Sequence, residues 1–181
     1  MTKKILIFIY IFLTFLAIDY IFANQYNTDA RAETNFESHT IINKFSILIP
    51  AKWNAKTQSS TDDFFILTNY EIDDNDYIST NSIKTEVIFL GEPVDVILDN
   101  HIRAIKNSKE NIIKRGNIII DGQSAIRVWY QGNGMDFPNS ISSYIPYDNE
   151  QTVIIHSYYN PENPLAVDTI ERVHWSFKNL K

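Results

Sequence analysis

Four histidines, His39, His101, His156 and His174, are the first side chains to weigh for acid–base or metal chemistry. No two of them stand in an H-x-x-x-H or H-E-x-x-H relation, so no helix carries a paired imidazole site. His101 and His174 fall on or beside apolar helical stripes, where a histidine satisfied by a neighbour is the plain expectation. His156 lies among Ile155, Tyr158 and Tyr159, and His39 at the edge of a polar stretch. Glu71, Asp73, Asp74 and Asp76 crowd one loop. Hard cations such as Ca²⁺ favour several carboxylates on a flexible loop. Asp73, Asp74 and Asp76 are the candidate ligands for a weak cation contact, but the spacing, glycine and closing glutamate of a calcium-binding loop are missing, and a solvated acidic loop is the plain expectation. No G-x-S-x-G elbow, phosphate-binding loop or G-x-G-x-x-G occurs. Gly132-Asn133-Gly134 runs into Met-Asp-Phe-Pro and reads as a turn. No catalytic residue and no cofactor is assigned.

Composition narrows the classes further. The chain has 181 residues, 44% of them apolar, which suffices for one domain with a real core plus a short extra segment. It carries −6 net charge at a pI near 5.1, against a basic nucleic-acid-binding face. Zero cysteine excludes disulfides, thiolate metal sites, cysteine nucleophiles and a lipid-modified N-terminal Cys.

Residues 1–23 read as an export signal. Lys3 and Lys4 precede the apolar run Ile5–Ile18, then Asp19, and Ala23 supplies a small residue at the expected cut. The run is shorter than the ~20 residues that span a bilayer. An uncleaved N-terminal anchor is the alternative, and either way the rest is translocated. Losing two Lys and one Asp leaves 14 basic and 21 acidic residues, a net −7. No Asn-X-Ser/Thr acceptor occurs, which suits a bacterial periplasmic, luminal or extracellular protein. Residues 24–38 are polar and aperiodic, a flexible linker, and the domain is expected over 39–181.

The domain alternates in a legible way. Strands are predicted over 44–49, 63–70 and 83–90. Pro93 at a first helical position opens a helix whose Val94, Ile97, Leu98, His101, Ile102 and Ile105 form one stripe. Strands over 111–120 and 123–131 flank Asp121-Gly122, a strong hairpin signal. Strands over 141–146 and 151–159 follow. Asn163 is expected to cap a final helix with Pro164 at its first position. The order βββ-α-ββββ-α predicts an α+β fold, an α/β/α sandwich around a mainly antiparallel six- to seven-stranded sheet. Trp129 and Tyr130 must face opposite ways, and the aromatics of the second half are expected in the core.

Phe45-Ser46-Ile47-Leu48-Ile49-Pro50-Ala51-Lys52-Trp53 resembles the opening strand of the PsbP/Mog1/DcrB-like superfamily, an F-x-I-x-x-P-x-x-W pattern. Ile170 to Lys178 is similar to that family's closing helix, which often ends in a Ser-Phe pair, here Ser176-Phe177. The resemblance spans about residues 39–181. It implies accessory or assembly proteins without catalysis: thylakoid-lumen photosystem II factors, envelope lipoproteins and a nuclear Ran-binding protein. The export signal fits the exported branches, and the absent lipobox cysteine removes the lipid anchor. The first functional expectation is thus an exported non-enzymatic protein binding another protein or a membrane complex. The second is a periplasmic small-ligand or cation-binding module using the cleft near the Gly132–Asn139 loop.

Overall fold

A computed structural model describes residues 35–57, 63–71, 78–108, 110–132, 136–148 and 150–181. Residues 1–23, read above as an export signal, lie outside the described residues, as do Asp73, Asp74 and Asp76 and most of the stretch read as a linker.

Strands form where apolar residues alternate, and the alternation sets their register. They are β1 (Phe36–Ile41), β2 (Phe45–Pro50), β3 (Asn54–Thr57), β4 (Phe64–Thr68), β5 (Ile83–Leu90), β6 (Asn111–Ile120), β7 (Gln123–Gln131), β8 (Asn139–Pro146), β9 (Thr152–Tyr159) and β10 (Lys178–Asn179). The helices are α1 (Val94–Lys106) and α2 (Ala166–Trp175). A seven-stranded antiparallel sheet runs β3-β4-β5-β9-β8-β7-β6. A smaller sheet runs β1-β2-β10. The expected α+β sandwich is thus present, with one addition. The opening strand β2 leaves the large sheet and pairs with β1 and β10 instead.

The large sheet is covered on both faces. On one, α1 inserts Ile97, Leu98 and Ile105 against Val128, Tyr130, Tyr144 and Ile154. On the other, α2 and the small sheet share the covering layer. Phe45, Ile47, Ile49, Val173 and Phe177 meet Phe65, Leu67, Val87, Ile145, Val153 and Ile155. Phe45 and Phe177 stack at 5.6 Å. The two short motifs that suggested the fold thus meet in one core, which is the physical reason for an aromatic at each. Trp53 packs at the rim of the same core, as a cap.

Several boundaries differ from expectation. β1 begins at Phe36, inside the stretch expected as linker. Phe36 and Ile41 pack on the core, but four polar residues between them hide the signal. Pro93 is the N-cap of α1, with extended backbone (ψ 152°), and Val94 is the first helical residue. α2 starts at Ala166 after Leu165, two residues later than Asn163 and Pro164 implied. Asn163 still uses its side chain: Oδ1 accepts the Leu165 N–H at 3.1 Å, making a turn ahead of the helix.

Candidate functional site

The α1-facing side of the large sheet holds a run of polar side chains that strand alternation alone dictates. Ser142 and Tyr144 of β8, His156 and Tyr158 of β9, and Tyr130 of β7 all point to this face. α1 adds His101 from its apolar stripe. The hydroxyls of Tyr130 and Tyr144 are 2.7 Å apart, and Tyr144 Oη bonds His101 Nδ1. Ser142 Oγ lies 2.7 Å from His156 Nδ1. Tyr130, Tyr144 and His101 thus form one hydrogen-bonded chain, with the Ser142–His156 pair beside it. The rings stack as well: His101 on Tyr130 at 5.6 Å, and His156 against Tyr158 at 4.2 Å. Beyond Tyr158, Glu86 accepts its hydroxyl at 3.1 Å and is bridged to Lys84 at 2.7 Å.

One end of this run opens into a cleft of about 380 Å³. His101, His156, Tyr130 and Tyr158 form its floor, and Glu110, Asp136, Phe137, Pro138 and Asn139 its walls. This is the cleft expected near the Gly132–Asn139 loop. Gly132 is held close here: a Cβ on it would lie 3.2 Å from Glu110 Cγ. Its volume falls in the range of small-ligand sites, roughly 300–1,000 Å³. Burial, helped by His101 and Lys84, pushes the His156 imidazole down to about 3. Burial also lowers His101, against the opposing charge of Glu110. Burial raises the Tyr130, Tyr144 and Tyr158 phenols. The floor is therefore neutral at pH 7, and the wall is acidic. His156 Nε2 and Asn139 Oδ1 are buried without a hydrogen-bond partner among the described residues.

The opposite face carries a second polar chain. Thr85 Oγ1 and Ser157 Oγ are 2.6 Å apart. Ser157 meets His174 Nε2 at 2.9 Å, and Ser143 meets His174 Nδ1 at 2.8 Å. Arg127 Nε donates to Ser143 Oγ at 3.1 Å, and its guanidinium sits 3.4 Å from Glu171. His174 is fully buried and held well below its ordinary pKa by burial, with Arg127 and His156 adding to the effect. Both nitrogens are satisfied, as expected for a boundary histidine. Its effect is to pin α2 to the sheet.

Ser142–His156 and Ser143–His174 are both serine–histidine pairs, the start of an acyl-transfer constellation. Both serines are fully buried. Both pairs are interior hydrogen bonds. Among the described residues no group of three His, Asp or Glu side chains is placed to hold a metal ion. The aromatic expectation holds in part: Trp129 and Tyr130 face opposite sides, and Tyr130, Tyr144, Tyr147 and Tyr159 are buried, whereas Trp129, Phe137 and Tyr158 are half-buried. Missed at the sequence level was the convergence of His101, His156 and the tyrosines. It arises from cross-strand register and a helix far away in the chain, which no local spacing encodes.

Neither family models nor curated proteins give a match to the sequence. Solved structures do. The solution structure of cyanobacterial PsbP (CyanoP) from Synechocystis sp. PCC 6803 superposes with a TM-score of 0.56 at 13% identity, over 82% of this chain and 95% of that one. The chain has the PsbP/Mog1/DcrB-like fold. LpqN of Mycobacterium tuberculosis, described as involved in cell envelope biogenesis, superposes with a TM-score of 0.55 at 10% identity, over 80% and 90% of the two chains. Among the described residues no helix is long and apolar enough to cross a membrane.

Proposed function

We propose that the protein is an exported, non-catalytic accessory protein that binds a partner protein through the outer edge of β6. The carrying observation is that edge. β6 ends the seven-stranded sheet, runs ten residues, and pairs only with β7 among the described residues. Ile113 is 58% exposed and Ile119 64% exposed. An open strand edge with apolar side chains is a template for an added strand. The bulge between Ile112 and Lys114 and the cations Lys114 and Arg115 blunt its first half. Gly116 to Ile120 has no such protection. Export is supported by the signal pattern of residues 1–23, and an accessory role by the likeness of fold to CyanoP and LpqN.

The test is affinity capture from the envelope of the producing cells, with the wild type and an Ile113→Lys/Ile119→Lys variant of unchanged melting temperature. The reading expects a defined partner that the variant loses. Capture of nothing, or of the same partner by both proteins, contradicts it. Export has its own check: mature protein beginning at Asn24 supports it, and full-length protein retained inside the cell opposes it.

A second reading, a small-ligand module, is favoured by one observation. His156, on the floor of the 380 Å³ cleft, keeps a buried nitrogen without a partner. A buried polar atom left unpaired costs roughly 1–3 kcal/mol, which a bound ligand would recover.

A further inference from the structure

The chemistry along β6 narrows what kind of strand can pair with it, an inference that rests on β6 being the partner edge. Register sets which side chains share the face turned toward α2. Lys114 stands opposite Trp129, Gly116 opposite Arg127 and Ile118 opposite Ala125. Ile118 and Ala125 belong to the core beneath α2. Gly116 is thus a missing side chain in a row of filled positions. Its φ is not positive, unlike that of Gly122, so the backbone does not require glycine there. Glycine inside a strand weakens it and often marks a close approach by another chain. A Cβ placed on Gly116 would meet no described atom within 4 Å, so the position is an open gap.

Aromatic and cationic groups border that gap. Trp129 lies diagonal to Gly116 and is half-buried, and Lys114 Nζ sits 4.5 Å from the centre of its ring. Trp175, 53% exposed, packs 4.9 Å from the guanidinium of Arg127, the residue opposite Gly116. Lys114 and Arg115 are exposed, and among the described residues neither has a carboxylate within 4.0 Å. On a chain of net charge −6 this edge is locally positive.

A strand added to β6 places one side chain directly opposite Gly116 on this face. An aromatic ring laid across a glycine from the neighbouring strand restores the packing that the glycine lacks. Opposite Lys114 and Arg115, carboxylates attract and cations repel. A second copy of β6, NIIKRGNIII, supplies neither an aromatic ring nor a carboxylate. We infer that the β6 edge takes an extended acidic segment of the partner protein, with an aromatic residue lying across Gly116 and carboxylates beside Lys114 and Arg115.

The experiment titrates the full exported chain with fluorescein-labelled nine-residue peptides capped at both ends. The first has Phe at its centre, two Glu after it, and Thr and Val elsewhere. The second replaces the Phe by Ala, and the third replaces both Glu by Lys. Anisotropy should show saturable binding of the first, about tenfold weaker binding of the second and about fivefold weaker binding of the third. Backbone NMR should place the shifts caused by the first peptide on residues 113–119. Gly116→Trp fills the gap with a ring of its own. The space is open and Trp favours strands, so the melting temperature should not fall, while affinity for the first peptide should drop about tenfold. If Gly116→Trp does melt lower, Gly116→Val takes its place with the same expectation. Equal binding of the first two peptides, or wild-type affinity in the filled variant, overturns the aromatic site and leaves β6 as a partner edge. Equal or tighter binding of the third overturns the acidic assignment. No binding of any peptide overturns this inference, while the partner reading is still decided by affinity capture. Self-association that Ile113→Lys/Ile119→Lys abolishes would give the edge to a second copy and overturn the inference as well.

Discussion

At the scale of single residues, the interior is organised by neutral histidines. His101, His156 and His174 all lie below the ordinary imidazole range because burial disfavours their charged form. Each is neutral in the fold, whereas the unfolded chain binds a proton near pH 6.5. Stability is therefore fully present above about pH 6.5 and is lost as pH falls toward the folded values, about 3 for His156. His156 contributes up to about 1.4 kcal/mol per pH unit in that window. Urea midpoints at pH 7.5 and 5.0 should differ clearly, and a flat profile would contradict the account. Arg127 makes a sharper case. Its buried guanidinium lies between Trp129 and Trp175, at 5.9 and 4.9 Å, with Glu171 as its counter-ion. Removing one partner of a buried pair costs more than replacing the charge by an apolar side chain. Glu171→Ala is expected to cost about 2–3 kcal/mol, and adding Arg127→Met to recover part of it. A double variant less stable than Glu171→Ala alone would show that the charge is not what the loss reflects. At this scale the sequence was least legible. His174 was readable as a satisfied histidine from its place beside a stripe. The partnership of His101 with Tyr144 was not, because 43 residues separate them.

At the scale of elements, period-two and helical patterns carried most of the fold. β5, β6 and β7 and the stripe of α1 stand where alternation and turn chemistry put them. Asp121 and Gly122 both have positive φ, 50° and 74°, as a two-residue hairpin turn demands. Gly122→Ala leaves the space around it open and acts only through that backbone conformation. The expected loss is about 1 kcal/mol, read as a lowered denaturation midpoint with an unchanged slope. No change would mean that the turn relaxes freely. β1, β3 and β10 escaped notice for a shared reason. Each is a short edge segment with few apolar residues, FESHTI, NAKT and KN, defined by the strand it pairs with. Ser176 shows how such a segment is held. Its Oγ accepts the Leu48 N–H at 2.8 Å and donates to Val173 O at 2.6 Å, tying β2 to the end of α2. Ser176→Ala should cost about 1 kcal/mol, again measured by denaturant melting.

At the scale of the whole molecule, the two motifs that suggested the fold are the two ends of one core. Phe45 opens the domain, Phe177 closes it, and their rings stack across the layer shared by α2 and the small sheet. Residues 36–181 form a compact unit of their own. That unit expressed alone should melt in a single cooperative transition; two transitions would divide the core that these motifs join. A fold shared with CyanoP and LpqN at 13% and 10% identity says how the chain is built, and the exposed chemistry decides what it does. The most direct measurement places a photo-crosslinking amino acid at Ile113, at Ile119 and, as an exposed control on α1, at Val96, in the cells that make the protein. The account predicts one covalent adduct of defined mass from positions 113 and 119 and none from position 96. No adduct from the β6 positions, or the same adducts from all three, would contradict it.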